Sequence, residues 1–154
     1  MKNTKNNHQG IKIESVSRNV FQILPIAAAM AASGAIQPAF AVDRTWFGGT
    51  GEFGIDTNWS PTGVPGSGDK AIIDSGNSTL SFNTSITSLD LSGGALEGTG
   101  NLTLSGLSTW TGGSITGGAT TTFNSTLELS GNGAKVISGG RTVNAGDTTW
   151  SGNT

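Results

Sequence analysis

Two aspartates are the best candidates for catalysis in this chain, because most other reactive side chains are missing from it. The only histidine is His8, near the start, and cysteine and tyrosine are absent. Beyond Ala41 this excludes nucleophile–histidine catalysis and the usual Cys/His zinc sites. Asp69 and Asp74 could act as the paired acids of a glycosidase. They are five residues apart on a predicted turn and strand, where carboxylates are ordinarily solvated. We therefore predict no catalytic residue and no enzyme activity for this chain.

A hard cation such as calcium is the other chemistry that the acidic residues could support. Asp56 and Asn58, with Asp69 or Asp74, carry the carboxylate and amide oxygens that calcium prefers. The sequence contains neither an EF-hand loop nor a run of Gly-Gly-x-Gly-x-Asp repeats, and its glycine pairs are not followed by the Gly-Lys-Ser/Thr of a phosphate loop. We predict no metal and no cofactor.

The charge of the chain bears on its partners. Residues 42–154 contain four basic and nine acidic side chains, a net charge of −5. A sparse acidic surface without a basic patch does not attract phosphates, so we predict no nucleic-acid partner. The absence of cysteine means that no disulfide framework supports the fold.

A four-residue pattern recurs in the second half of the chain at nearly constant spacing. Each copy has a bulky apolar residue, a small hydroxyl residue, glycine, and then glycine or asparagine. The copies begin at Leu91, Trp110, Leu129 and Trp150, so the first two steps are equal and the third is slightly longer. Self-similarity at such a period is typical of a coiled β-solenoid.

Two further apolar series share this period. One is Leu96, Ile115 and Val136, with Ile137 as the alternative third member, and the other is Leu104, Phe123 and Val143. Three anchors per period leave space for three short strands and three turns per coil. We therefore predict an all-β, three-faced solenoid (a β-helix) of about 20 residues per coil, whose core stacks these side chains. A disordered Gly/Ser/Thr-rich linker and an ordinary β-sandwich are the alternatives. A linker lacks three phased apolar series, and a sandwich does not explain the hydroxyl-glycine pattern that follows one anchor in each coil.

Residues 1–41 have the organisation of a signal peptide. Four basic residues precede an apolar run from Val20 to Ile36, and an Ala-x-Ala cleavage site follows at Ala39 and Ala41. We predict cleavage after Ala41, with an uncleaved anchor as the alternative. No later segment is apolar enough to span a bilayer, so we predict no stable transmembrane segment in the mature chain.

Residues 42–70 differ in sequence pattern from the repeats and are predicted to form an N-terminal cap. Trp46, Phe53 and Trp59 offer large apolar faces that could cover the first coil, and Val64-Pro65-Gly66 would interrupt strand pairing. The alternative is that Trp46 and Trp59 are exposed and stack on sugar rings. Residues 71–154 are assigned to the coils. Because Thr154 falls within a coil, we expect this chain to be the N-terminal part of a longer protein.

A resemblance agrees with this organisation. Between Trp46 and Ile73 the sequence reads W-x-G-G, N-W-S, P and D-x-A-x-I in order, and Gly-rich β repeats follow. This combination resembles the start of bacterial secreted and surface β-helix proteins, including autotransporter-type passengers. The resemblance implies export to the cell surface and a β-helix, without a defined ligand or catalytic residue.

These observations lead to one functional prediction and one rival. We predict a non-catalytic, exported bacterial protein at the cell surface or outside the cell, a β-helical rod or adhesin-like passenger. Its expected partner is a host-surface or matrix carbohydrate or protein. The alternative is the N-terminal part of a polysaccharide-acting β-helix enzyme whose active site lies beyond this chain.

Overall fold

A computed structural model describes residues 40–152, and these form a β-solenoid of about 4 turns with stacked parallel coils of about 19 residues. The predicted all-β solenoid is confirmed. Residues 1–39, which include most of the predicted signal peptide with Ala39, and residues 153–154 lie outside the described part. The strands are β1 (Asp43–Trp46), β2 (Thr50–Glu52), β3 (Trp59–Ser60), β4 (Lys70–Ile73), β5 (Asn77–Thr79), β6 (Thr84–Ile86), β7 (Ser88–Leu91), β8 (Ala95–Glu97), β9 (Leu102–Leu104), β10 (Ser108–Trp110), β11 (Gly113–Thr116), β12 (Thr120–Phe123), β13 (Leu127–Leu129), β14 (Lys135–Ser138), β15 (Thr142–Ala145) and β16 (Thr148–Trp150).

Three sheets share these strands, because each complete turn contributes one strand to each sheet. Sheet A has the order β16-β13-β10-β7-β4-β1-β3, sheet B has β14-β11-β8-β5-β2, and sheet C has β15-β12-β9-β6. Among the described strands, all pairings are parallel except β1 with β3. Among residues 40–152, the one helix is the 3-10 turn Asp56–Asn58, and no helix is long and apolar enough to cross a membrane.

The series of four anchors lies in register in sheet A, as predicted. Leu91 lies opposite Trp110, Trp110 opposite Leu129, and Leu129 opposite Trp150. Leu91 and Trp110 are buried, and burial of such a side chain contributes about 1.5–3 kcal/mol. Trp150 is 61% exposed, so its assignment to the buried core is wrong. The physical reason is that β16 is the outermost described strand of sheet A and stacks only on β13.

The second series needs a correction at its third member. Leu96 and Ile115 lie opposite each other and are fully buried, but Ile137 continues the series, and Val136 lies opposite Ser114. Val136 is 46% and Ile137 50% exposed, because β14 is the outermost described strand of sheet B and stacks only on β11, so the register alone identifies Ile137 as the third member. The corner between β13 and β14 spans residues 130–134, whereas residues 111–112 suffice between β10 and β11. The longer corner delays the next strand by three residues, so Ile137 follows Ile115 by 22 residues where the earlier step was 19.

The third series needs the same kind of correction. Leu104 and Phe123 lie opposite each other and are buried, but Ala145 continues the series. Val143 lies opposite Thr121 and is half-buried against the margin of the core. The long corner at residues 130–134 again explains the displacement, because every strand after it starts later than the earlier period predicts.

The first turn is built differently from the others. Within residues 42–70, β1 pairs in parallel with β4, and β2 pairs in parallel with β5. This segment therefore contributes strands to sheets A and B, and β3 then runs antiparallel at the end of sheet A. In the described chain it contributes no strand to sheet C, where a loop approaches β6. That loop is fixed by Thr87, whose Oγ1 donates to Ser67 O (2.9 Å) and whose N–H donates to Asp69 O (2.8 Å).

Candidate binding face

The tryptophans of the first turn are packed inside the protein. Trp46 is 1% exposed and Trp59 is 0% exposed, and Trp59 packs edge-to-face against both Trp46 and Phe53. Trp46 Nε1 donates to Gly49 O (3.2 Å), and Trp59 Nε1 donates to Phe53 O (2.8 Å). Neither ring presents a face on which a sugar could stack, so the stacking alternative is wrong.

Asp69 and Asp74 do not form a catalytic pair. They lie at opposite ends of β4, and at about 3.3 Å per residue their Cα atoms are roughly 16 Å apart. Paired acids of glycosidases are about 5–9.5 Å apart. Asp74 is exposed, and its Oδ1 accepts a hydrogen bond from Ser75 Oγ (2.9 Å).

Asp69 instead holds the first turn together. Its carboxylate accepts hydrogen bonds from Val42 N and Gly66 N, each at 3.0 Å, and from Arg44 Nε at 3.3 Å. Burial by itself would raise the pKa of Asp69. The hydrogen bonds from Gly66, Val42 and Arg44 outweigh burial, so this pKa lies below the ordinary 3.8. Asp69 is therefore an ionised anchor and is not poised to exchange protons near neutral pH.

The residues considered for calcium are also spread apart. Asp56 and Asn58 lie on the 3-10 turn, and Asn58 Nδ2 donates to Glu52 O (3.0 Å). Asp69 is held by Arg44 and the backbone groups described above. Within residues 40–152, no three His, Cys, Asp or Glu side chains lie close enough to share a metal ion.

Sheet A carries an ion-pair network on its outer side. Lys70 Nζ lies 3.1 Å from Asp90 Oδ2 and 3.9 Å from Asp43 Oδ2. Thr109 Oγ1 donates to Asp90 Oδ1 (2.8 Å). The hydrogen bond and the charge of Asp90 raise the pKa of Lys70 above its ordinary 10.5, despite partial burial. These charges link successive turns of the solenoid.

A second cation is placed inside the solenoid. Arg141 is 6% exposed, and its Nε and Nη2 donate to Thr121 Oγ1 at 3.0 and 2.8 Å. Its Nη1 donates to Gly98 O, one turn further along the axis, at 3.2 Å. Burial lowers the pKa of Arg141, which nevertheless stays cationic. Arg141 thus ties together the corners that lead into sheet C.

Sheet C differs from its two neighbours in charge. Each of the other sheets has several charged residues on its strands, whereas the four strands of sheet C have none. The charged residues on the strands of sheets A and B are Asp43, Arg44, Glu52, Lys70, Asp90, Glu97, Glu128 and Lys135. The outer surface of sheet C is therefore polar and uncharged.

Two rows of polar side chains cross this outer surface. In one row, each residue lies opposite the next across the strand pairs, and the members are Ser85, Thr103, Thr122 and Asn144. The other row lies two residues earlier on each turn, and its members are Asn83, Asn101, Thr120 and Thr142. Adjacent strands are about 4.8 Å apart and the rows about 6.6 Å apart. Backbone pairing thus fixes a regular array, which we call the sheet C array.

The two asparagines of the array are oriented by a hydrogen-bond ladder. Asn83 Oδ1 accepts from Asn101 N (2.9 Å), and Asn101 Oδ1 accepts from Thr120 N (2.9 Å). Each amide oxygen thereby satisfies a backbone N–H of the following turn. Since the amide is planar, this bond also fixes the direction of Nδ2, which can donate two hydrogen bonds.

A channel of about 630 Å³ lies between the two rows at the start of sheet C. Its lining consists of Ser67, Asn83, Thr84, Ser85, Asn101 and Thr103. These residues come from the first two turns of sheet C and from the loop that contains Ser67, so the channel is an open depression across β6 and β9. We call it the sheet C channel.

The array was not identified from the sequence, although a signal was there. The segments 83–85, 101–103, 120–122 and 142–144 each read polar, any residue, polar, and they recur at close to the period of the apolar series. The three apolar series mark the inward positions, and this pattern marks outward positions on one face.

No family model matches the chain, and neither curated proteins nor solved structures include a significantly similar one.

Proposed function

We propose that this protein is a non-catalytic, exported surface protein whose solenoid binds a partner through the sheet C array. The observation that carries the proposal is the contrast between the charge-free strands of sheet C and the charged strands of sheets A and B. Uncharged polar groups lose much less free energy than charges when they leave water. The buried centres of protein interfaces are depleted of charge for this reason.

Rigidity is the second support for a binding role. Six of the eight side chains of the array project from paired strands of sheet C, so their spacing is set by the backbone. The other two, Asn83 and Asn101, directly precede β6 and β9 and are held by the hydrogen-bond ladder. A preorganised surface loses little conformational entropy when it binds. A solenoid also repeats the same contact at each turn, which suits an extended or repetitive partner.

The non-catalytic part of the proposal is supported by what the charged groups do. Asp69 is bonded to Arg44, Lys70 to Asp90, and Arg141 to Thr121, so each has a structural role. Export is supported by the signal-peptide pattern of residues 1–41. The partner class proposed on this basis is a carbohydrate or protein of a host surface or matrix.

Two measurements test the proposal. The first expresses the full chain with residues 1–41 in place and a C-terminal epitope tag in a bacterium. Tag on the outside of intact cells or in the medium is expected, and tag confined to the cytoplasm would contradict export. The second compares attachment of cells or coated beads to host matrix for two variants, Thr122→Lys in sheet C and Thr116→Lys in sheet B.

The two variants are matched, because Thr116 and Thr122 are half-buried threonines on strands of the same turn. A lysine on the contact face brings a charge that must lose water on binding, whereas a lysine on another face stays solvated. We expect Thr122→Lys to reduce attachment and Thr116→Lys to leave it unchanged. Equal effects of both would contradict the role of sheet C. Cleavage of a matrix polysaccharide by the chain itself would contradict the non-catalytic part of the proposal.

A further inference from the structure

We infer that the sheet C channel binds a single chain of neutral polysaccharide that runs along the solenoid axis. This inference rests on the proposed function, because it names the ligand of the same face. It follows from the direction of the two polar rows that flank the channel, from the donors and acceptors along them, and from the absence of charge in the channel lining.

The direction of the two polar rows determines the shape of the ligand. The channel crosses β6 and β9, and the two rows that flank it continue over β12 and β15 through Thr120, Thr122, Thr142 and Asn144. A ligand in it therefore meets a similar pair of polar side chains about every 4.8 Å. An extended polymer satisfies this repeat. A peptide added by β-strand pairing would instead run parallel to the strands and use backbone groups at a sheet edge.

The two walls of the channel offer complementary hydrogen bonds. On one wall, Asn83 and Asn101 accept through Oδ1 within the ladder, so each presents a fixed Nδ2 donor. On the other wall, Ser85 and Thr103 carry hydroxyls that rotate to donate or accept. Sugar hydroxyls both donate and accept, so a polyol can satisfy both walls at once.

The lining also selects against charged ligands. All six lining side chains are uncharged, so an anionic polymer would lose hydration in the channel without gaining an ion pair in return. Arg44 and Arg141 do not line the channel, and each is already bonded elsewhere, Arg44 to Asp69 and Arg141 to Thr121. A neutral polysaccharide has no such desolvation cost.

The decisive variants are Asn83→Asp and Asn101→Asp, with Asn124→Asp as the control. Aspartate keeps an oxygen where Oδ1 accepts the backbone N–H, so the ladder and the fold are retained. It removes the Nδ2 donor and adds a negative charge to the channel wall. Asn124 is exposed at the opposite end of β12, outside the channel lining, so its substitution adds the same charge elsewhere.

Binding of the full chain is measured by affinity electrophoresis and calorimetry. The neutral probes are dextran, amylose, galactomannan and hydroxyethyl cellulose, the anionic probes are alginate and heparin, and circular dichroism checks that each variant folds. We expect at least one neutral probe to bind. Loss of one oriented donor, with the added charge, should weaken binding about tenfold or more in Asn83→Asp and Asn101→Asp. Asn124→Asp should bind as the unmodified chain does.

Three outcomes would overturn the inference: no binding to any neutral probe, binding to anionic probes alone, or equal weakening in all three variants. The proposed function fails separately, if attachment to matrix does not respond to Thr122→Lys. Attachment that depends on sheet C but withstands digestion of matrix polysaccharide would identify a protein partner. That result would overturn the polysaccharide inference while leaving the proposed function in place.

Discussion

The tightness of the corner between sheets A and B can be tested with three glycine substitutions. Gly94 has a φ of +61°, a region that disfavours residues with a Cβ. A Cβ at this position would also lie against Gly76 O and 2.7 Å from the carbonyl carbon of Ser75. Both atoms belong to the preceding turn, so Gly94→Ala tests how closely the turns are stacked.

The expected loss of stability follows from these two effects. The left-handed conformation costs alanine about 1–2 kcal/mol. Relief of the clash displaces Gly76 O, which accepts a hydrogen bond from Ala95 N (2.8 Å), and loss of that bond costs about 0.5–1.5 kcal/mol. The sum is about 1.5–3.5 kcal/mol. At about 4 °C per kcal/mol, this lowers Tm by about 6–14 °C.

Two other glycines separate the contributions. Gly49 has a φ of +64° with no atom within 4 Å of an added Cβ, so Gly49→Ala should cost only the conformational part, about 1–2 kcal/mol. Gly118 has open space and no left-handed φ, so Gly118→Ala should change stability by less than about 1 kcal/mol. Thermal unfolding by far-UV circular dichroism ranks the three variants. If Gly94→Ala is no less stable than Gly49→Ala, the turns are not in backbone contact at this corner.

Three further predictions concern buried polar groups and pH. Ser78 and Ser108 are both 0% exposed, but Ser78 Oγ has no partner among the described atoms, whereas Ser108 Oγ accepts from Leu89 N (3.1 Å). In urea unfolding, Ser78→Ala should therefore raise the free energy of unfolding by about 1–3 kcal/mol, and Ser108→Ala should lower it by a similar amount. A change of the same sign in both variants would refute the difference in hydrogen bonding between the two serines. Because the pKa of Asp69 lies below its ordinary 3.8, the ionised carboxylate stabilises the fold above that pH, and this contribution disappears as the pH falls through the native pKa. Asp69→Asn should thus be less stable than the unmodified chain at neutral pH, and it should lose less stability on acidification. If the urea midpoints of the two proteins fall in parallel down to pH ~2, this prediction is wrong. The pKa of Lys70 is raised above its ordinary 10.5, so the sign is opposite: the charged Lys70 stabilises the fold below pH 10.5, and this contribution is lost as the pH rises through the native pKa. Lys70→Met should abolish this pH dependence in alkaline unfolding curves.

Much of the fold could be predicted from the sequence because its interior repeats. Leu91, Trp110, Leu129 and Trp150 share a period that the backbone pairing reproduces. The prediction failed where a corner changed length. The five residues at 130–134 moved Ile137 and Ala145 into the positions predicted for Val136 and Val143. Glycine and asparagine indicate that a turn occurs, but not how many residues it contains.

The candidate site was harder to predict, because its residue types are common throughout the chain. The sequence spacing of Asn83 and Asn101 does not distinguish them from other polar residues of the chain. Only the structure shows that each side-chain oxygen accepts a hydrogen bond from a backbone N–H of the next turn. The first turn shows the same limit. Trp46 and Trp59 are compatible with exposure or burial in sequence, and the antiparallel pairing of β1 with β3 is what encloses them.

The central claim is that outward side chains of successive turns lie in line to form one uncharged face. Because the chain has no cysteine, a pair introduced by Thr103→Cys and Thr122→Cys reports on this directly. These residues lie opposite each other in parallel strands, about 4.8 Å apart between Cα atoms, which is within the range for a disulfide. The pair Thr103→Cys and Thr120→Cys is displaced by two residues, roughly 8 Å apart, and serves as the control. Under mild oxidation we expect the first pair to form an intramolecular disulfide and the second to keep free thiols. If the second pair cross-links in preference to the first, or if neither pair cross-links, the register on which the face depends is contradicted.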